Sequence, residues 1–206
     1  MWQLAQSGRF DEFAAAYQPG DAALVWEDGQ TLLHRSLING DLPARIAISS
    51  FLLDEGANAA ALSGTAPEQN TTLHALLGRT LHDVPLEAVI LNRLLDGGAD
   101  LNRFSGRFRT PLFTIARQFK FSDATLTPFY DQLFARPHLN LRSTAPDGRS
   151  TADSISRTLK VEPTSFSLVT DISPPSVLVK SWVIVRPRPR PGIGRTVSAS
   201  PRWKGS

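Results

Sequence analysis

The sequence predicts an all-α fold in which helix-turn-helix units stack side by side. One observation is a phrase that recurs at nearly constant spacing, starting at Thr31, Thr71, Thr110 and, more weakly, Ser150, so that the intervals are 40, 39 and 40 residues. Another is the helical spacing of apolar residues between these phrases, where we expect one buried face, as at Val89, Ile90, Leu94 and Leu95. A fixed period of this kind is typical of repeat architectures, in which each unit buries its apolar face against its neighbours.

Each recurring phrase predicts the start of a short helix. A threonine can accept a backbone N–H as the N-cap, proline suits the first helical turn, and leucine begins the apolar face. We therefore expect Leu33, Leu73 and Leu112 to be buried at equivalent places. The phrases read Thr31-Leu32-Leu33-His34, Thr71-Thr72-Leu73-His74, Thr110-Pro111-Leu112-Phe113 and Ser150-Thr151-Ala152-Asp153.

A second phrase predicts where a longer helix ends. Gly56 and Gly98 stand at its end, where we expect the left-handed conformation that glycine adopts most easily. The third copy is degenerate. The copies read Leu52-Leu53-Asp54-Glu55-Gly56-Ala57-Asn58, Leu94-Leu95-Asp96-Gly97-Gly98-Ala99-Asp100-Leu101-Asn102 and Leu133-Phe134-Ala135-Arg136-Pro137-His138-Leu139.

Together the two phrases resemble the ankyrin repeat, whose signature is a T-P-L-H turn, a short helix, and a longer helix ending in L-L-x-x-G-A-D-x-N. The resemblance covers roughly residues 5–157. It implies an ankyrin-repeat solenoid of stacked helix-turn-helix units with short β-turn fingers, divided into an N-terminal capping repeat over 1–27 and ankyrin repeats over 28–157. Because the intervals exceed the usual 33 residues, we expect insertions at 81–85 and 119–127, in the turns between paired helices.

Charge separates the repeats from the rest of the chain. Residues 1–157 carry 14 Lys and Arg against 17 Asp and Glu, whereas residues 158–206 carry 8 against 2. Nucleic-acid binding therefore cannot be argued from the net charge of +3, because the repeats are slightly acidic. Residues 158–206 are rich in Pro, Arg and Ser and predict a disordered tail. This tail could recruit a partner, be an out-of-frame product, or be inert.

Several classes of protein are not expected. The chain has no cysteine, which excludes disulfides, thiolate zinc sites and cysteine nucleophiles. Its first residues lack a secretory signal and no apolar run is long enough to span a membrane, so we expect a cytoplasmic protein. We also expect a monomer. Phosphate-binding, metalloprotease, nucleophile-elbow and dinucleotide motifs are absent from the sequence. We therefore expect no enzyme activity, no cofactor and no metal.

The titratable side chains mostly predict structural roles. The resemblance implies that His34 and His74 hydrogen-bond the adjacent loop and tie repeats together. We expect His82 and His138 to be solvated in loops. The acidic residues at helix ends, including Asp96 and Asp100, are expected to favour solubility rather than acid-base catalysis.

The segment 103–109, Arg-Phe-Ser-Gly-Arg-Phe-Arg, is the most distinctive local cluster. The resemblance places it on a protruding turn between repeats. Arginine and aromatic side chains are favoured at binding hot spots, and the same mixture can stack on single-stranded nucleic acid. A protein partner, inward packing of the phenylalanines, and nucleic acid stay open here, with nucleic acid the least favoured.

The resemblance implies a non-catalytic protein-protein interaction module, acting as a scaffold, an adaptor or an inhibitor such as an immunity protein. The alternative is the targeting arm of a secreted effector or a subunit associated with an enzyme. Ankyrin solenoids bind through a strip formed by their turn tips and short helices. In this chain the corresponding strip is acidic in its early residues and basic in its late ones. We therefore expect a partner of the opposite gradient and salt-dependent binding. Carried onto this chain, the strip comprises Glu27, Asp28, Gln30, Ile38, Asn39, Glu68, Gln69, Asn70, Arg79, Arg107, Phe108, Arg109, Arg117 and Gln118.

Overall fold

A computed structural model describes residues 1–66, 68–106, 108–144, 148, 150–152 and 155, and it is mostly helical with little strand. The predicted tail over 158–206 lies outside the described residues. The elements are α1 (Trp2–Ser7), α2 (Phe10–Ala16), a 3-10 turn (Asp21–Ala23), α3 (Leu32–Leu37), α4 (Leu42–Asp54), β1 (Leu62–Ser63), β2 (Asn70–Thr71), α5 (Thr72–Leu77), α6 (Val84–Asp96), α7 (Pro111–Ala116) and α8 (Asp123–Phe134).

The helices begin where polar side chains cap them. The hydroxyls of Thr31, Thr71 and Thr110 accept the backbone N–H three residues later at the starts of α3, α5 and α7. The longer helices α4 and α6 start in the same way at Asp41 and Asp83 and carry a proline in their first turn. Each cap satisfies one of the N–H groups that a helix start leaves unpaired, so these starts are fixed locally.

The expected glycine stops are confirmed. Gly56 follows α4 with φ of 81°, and Gly98 follows α6 with φ of 87°. In this region a side chain with a Cβ is strained, which favours glycine after the last helical turn.

The helices form two layers. The short helices α1, α3, α5 and α7 contact one another in chain order, and so do the longer helices α2, α4, α6 and α8. Leu33, Leu73 and Leu112 are at most 2% exposed, as predicted, and belong to one continuous core. Val89 is a correction: it was expected on the apolar face of its helix, but it is 61% exposed, while Ile90 is buried.

Short antiparallel turns project between the helical pairs. Strands β1 and β2 pair Leu62 with Thr71, and single bridges join Val25 to Thr31 and Ser105 to Arg109. We call these turns finger 1 (25–31), finger 2 (62–71) and finger 3 (105–109). Finger 1 lies so close to finger 2 that a Cβ on Gly29 would stand 2.5 Å from the Leu62 carbonyl oxygen.

The turn within the α3–α4 pair is shorter than the turns within the two pairs that follow. It spans 38–41 in the α3–α4 pair, 78–83 in the α5–α6 pair and 117–122 in the α7–α8 pair. The predicted insertions overlap the two longer turns, although 84–85 and 123–127 belong to the helices that follow. Within the described part of the chain, every helix is too short or too polar to cross a membrane.

Candidate functional site

Two adjoining cavities lie where the short helices meet the fingers, and we call them together the groove. One has a volume of about 220 Å³ and the other about 270 Å³, and both are lined by Gly78 and Phe108. The first is also lined by Gln30, His34, Ile38, Ser63, Asn70, His74, Ala75 and Arg79. The second is also lined by Thr114, Arg117 and Gln118.

The groove collects half of the strip expected from the sequence, drawn from three separate helical pairs. The expected residues that line it are Gln30, Ile38, Asn70, Arg79, Phe108, Arg117 and Gln118. The expected residues outside its lining are Glu27, Asp28, Glu68, Gln69, Arg109 and Asn39. Arg107 lies outside the described residues.

Asn39 is a correction, because it is only 1% exposed and cannot present its side chain to a partner. Its amide nitrogen donates hydrogen bonds to the carbonyls of Ala5 and Gly8, each at 3.1 Å, and its amide oxygen accepts from the Asp41 N–H at 2.9 Å. The residue thus joins the first helical pair to the second. Gln118 makes a similar tie, donating to the Leu77 carbonyl at 2.9 Å.

Fingers 2 and 3 are bound to each other rather than standing free. The Ser105 hydroxyl donates to the Asn70 amide oxygen at 2.7 Å, and the Arg103 guanidinium donates to Gln69. A Cβ on Gly106 would meet the Glu68 carboxylate, so the finger tip passes directly over that side chain. The expected binding residues of finger 2 therefore also position finger 3.

Finger 3 and the short helix α7 that follows it place cationic and aromatic groups beside the groove. Arg109 closes the finger with φ of 58°, a conformation that is uncommon for a residue other than glycine. The guanidinium carbons of Arg109 and Arg117 lie 5.5 and 5.6 Å from the ring centre of Phe113. Phe108 is half-buried, so its ring is neither packed fully inward nor fully exposed.

His74 ties two helical pairs together, as predicted. Its Nδ1 accepts from the Thr71 N–H at 3.1 Å, which leaves Nε2 to carry the proton and donate to the Arg109 carbonyl at 2.8 Å. Burial lowers the pKa of His74 to about 4, and the bond to the Arg109 carbonyl only partly opposes this shift. The imidazole is therefore neutral at pH 7.

His34 occupies the equivalent place in the preceding pair but makes only half of the tie. Its Nδ1 accepts from the Thr31 N–H at 3.3 Å. Its buried Nε2 faces the carbonyls of Ala61 and Asn70 without a hydrogen bond of normal geometry. Burial lowers the pKa of His34 to about 4, opposed mainly by the charge of Asp28.

His82 is a correction, because its side chain is completely buried rather than solvated. Its Nδ1 lies 2.8 Å from Oε2 of Glu87, and Oε1 of the same carboxylate accepts from Arg45 at 2.7 Å. The rings of Phe121 and Phe129 pack against the imidazole. No sequence pattern indicates this cluster, because it depends on the turn 78–83 folding back over α4 and α6. His138 is exposed, as expected.

The groove offers hydrogen-bond donors, two guanidinium groups and apolar walls. Among the described residues, no aspartate or glutamate lines it. Within the same residues, no three His, Cys, Asp or Glu side chains are grouped as a metal ion requires. The arrangement suits the binding of a polar chain segment.

Comparison with known proteins adds a likeness of fold. No family model matches the chain, and no curated protein does. The chain is similar to the crystal structure of a functionally unknown protein from Leptotrichia buccalis C-1013-b, with a TM-score of 0.59 and 21% sequence identity. The match covers 76% of this chain and 84% of that one.

Proposed function

We propose that the chain is an ankyrin-type repeat protein that binds another protein through the groove, without catalysing a reaction. One observation carries the proposal: residues far apart in sequence, selected by their place in the repeat, line the same pair of cavities. Ile38, Arg79 and Arg117 come from three successive helical pairs. A strip shared by several units is how a stacked protein forms an extended binding surface.

The proposal includes a non-catalytic role, because the imidazole of His74 in the groove is occupied by structural hydrogen bonds. Both ring nitrogens of His74 are hydrogen-bonded to backbone groups, and its lowered pKa makes it a poor proton acceptor at pH 7. A monomer in the cytoplasm, acting as a scaffold, adaptor or inhibitor, belongs to the same proposal.

The location of the surface is tested by crosslinking. Benzoylphenylalanine replaces Ile38 in the groove or Val89 on α6, which is 61% exposed and belongs to the other helical layer. We expect one protein to crosslink to position 38 under illumination and none to position 89. The captured protein is then purified for binding measurements.

Affinity for this purified partner gives the decisive result. The double change Arg109→Glu and Arg117→Glu should weaken binding at least about ten-fold, since it reverses two charges beside the groove. Higher salt should weaken wild-type binding as well. Val89→Glu is the matched control. Equal affinity of the two variants would place the interface elsewhere.

A further inference from the structure

Arg79 occupies a repeat position at which the neighbouring helical pairs have an amide side chain. In those pairs the amide hydrogen-bonds the backbone of the preceding pair. Counted from the capping threonines, Arg79 corresponds to Asn39 and Gln118, which donate to backbone carbonyls of the preceding pair. Within the described residues, the Arg79 side chain makes no hydrogen bond and no ion pair, and its Nε is buried without a partner. At this position the α5–α6 pair therefore has a cation that lines the groove instead of an amide that ties the stack.

The surroundings of Arg79 leave its charge without an anion. Burial is the main cause that lowers its pKa, followed by repulsion from Arg45. Glu87 acts in the opposite direction, but its carboxylate is already shared by Arg45, His82 and the Asp83 N–H. A partly desolvated guanidinium without a counterion gains most from an incoming carboxylate.

Arg117 provides a second cation in the adjoining cavity. It is exposed, lies over the Phe113 ring, and has no ion pair among the described residues. Gly78 and Phe108 line both cavities, whereas Arg79 lines only the first and Arg117 only the second. Two cations in adjoining cavities that share an apolar wall fit two singly charged groups on one segment better than a single compact dianion.

We propose that the groove binds an extended acidic segment of the partner, with one Asp or Glu at Arg79, a second at Arg117 and an apolar residue on Phe108. This inference rests on the proposed function and adds the chemistry of the partner. Charge excludes the chain's own residues 158–206 as the occupant, since they carry 8 Lys and Arg against 2 Asp and Glu. Residues 1–157 as a whole carry more Asp and Glu than Lys and Arg, 17 against 14, so the positive character of the groove is local.

The test is a selection from a phage-displayed library of random twelve-residue peptides on the full chain. We expect enriched peptides to contain two Asp or Glu flanking an apolar residue. For the best peptide, fluorescence anisotropy should show binding weakened about 30-fold by Arg79→Gln, because truncating one partner of a desolvated charge pair has a large effect. Arg79→Lys should restore part of the loss, since it keeps the charge but not the two-pronged geometry.

Matched controls separate loss of the charge from loss of the fold. Arg93→Gln removes an arginine that pairs with Asp54, away from the groove lining, and should leave peptide binding unchanged. Urea unfolding of each variant checks that Arg79→Gln retains its stability. Unchanged affinity of the Arg79→Gln variant would overturn the inference.

Two outcomes distinguish this inference from the proposed function. If the selected peptides lack an excess of acids but their binding is abolished by Ile38→Asp, the groove binds protein and the acidic segment is wrong. If no selected peptide depends on Ile38 or Phe108, the proposed function itself fails, and the inference fails with it. Peptides with phosphoserine in place of Asp form another arm. Binding of these peptides alone would contradict recognition of carboxylates.

Discussion

His74 couples two helical pairs through both its backbone and its imidazole. Its backbone N–H donates to the Thr71 hydroxyl that caps α5, while Nδ1 accepts the Thr71 N–H and Nε2 donates to the Arg109 carbonyl of finger 3. Accepting at Nδ1 while donating at Nε2 requires the neutral ring with its proton on Nε2. A single side chain therefore couples the start of one helical pair to the turn that opens the next.

Protonation of the two buried histidines should make stability depend on pH. His34 and His74 have a folded pKa of about 4, below the ordinary value of 6.5, so the unfolded chain binds more protons between these limits. Their contribution is complete above pH 6.5 and is lost as the pH falls to 4. Near pH 5 each histidine should add about 1.4 kcal/mol per pH unit to the slope of the free energy of unfolding against pH. Urea unfolding at several pH values from 7 to 5 measures this slope.

The variant His74→Gln should remove one histidine's share of that slope. His138→Gln is the matched control, because it makes the same change at an exposed side chain. A slope that is the same in wild type and His74→Gln would contradict the assignment of a neutral, buried ring to His74.

At single positions, the sequence predicted what local chemistry decides and missed what the neighbouring pair decides. The threonine caps and the left-handed Gly56 and Gly98 follow from backbone requirements within one helix. Asn39 and Arg79 occupy corresponding positions. Asn39 is buried and hydrogen-bonded, whereas Arg79 lines the groove. The difference depends on which carbonyls the preceding pair presents, and this cannot be derived from a repeat pattern.

At the scale of the elements, a buried ionic cluster joins α4, α6 and the turn between α5 and α6. Arg45 and Glu87 have side chains that are 0% exposed, and Arg45 also donates to the carbonyls of Asn39 and Leu81. Charged residues in a helix ordinarily indicate its solvated face. The sequence therefore could not identify this cluster, which depends on the contact between two helices.

The change Glu87→Gln should destabilise the fold by about 3–5 kcal/mol, because it leaves the Arg45 charge buried without its anion. The measurement is urea unfolding at pH 7. Asp54→Asn is the control: it removes an ion pair in which the acid is 68% exposed, and should cost less than about 1 kcal/mol.

The double variant Arg45→Met with Glu87→Leu tests the same cluster in the opposite direction. Removing both charges should cost less than the sum of the single changes, since no unpaired ion remains. Additive costs would show that the two side chains act independently, contrary to the 2.7 Å contact between them.

At the scale of the whole molecule, each helical pair is stabilised by its neighbours. The α5–α6 pair contacts α3 and α4 on one side and α7 and α8 on the other. The apolar residues form one core cluster that runs through the four helical pairs in the described part of the chain, rather than a separate core for each. Opening the α5–α6 pair must therefore expose apolar surface on both neighbouring pairs.

Leu73→Ala should consequently destabilise more than its own helical pair. Leu73 is 0% exposed, so the change leaves a cavity in the shared core and should cost about 2–5 kcal/mol. Because opening is coupled between neighbours, amide hydrogen exchange should quicken in α3 and α7 as well as in α5 and α6. Val89→Ala, at a position 61% exposed, should change neither urea stability nor exchange appreciably. Faster exchange confined to residues 72–96 would mean that the pairs open independently. In that case, the helices would be neighbours in space without sharing stability.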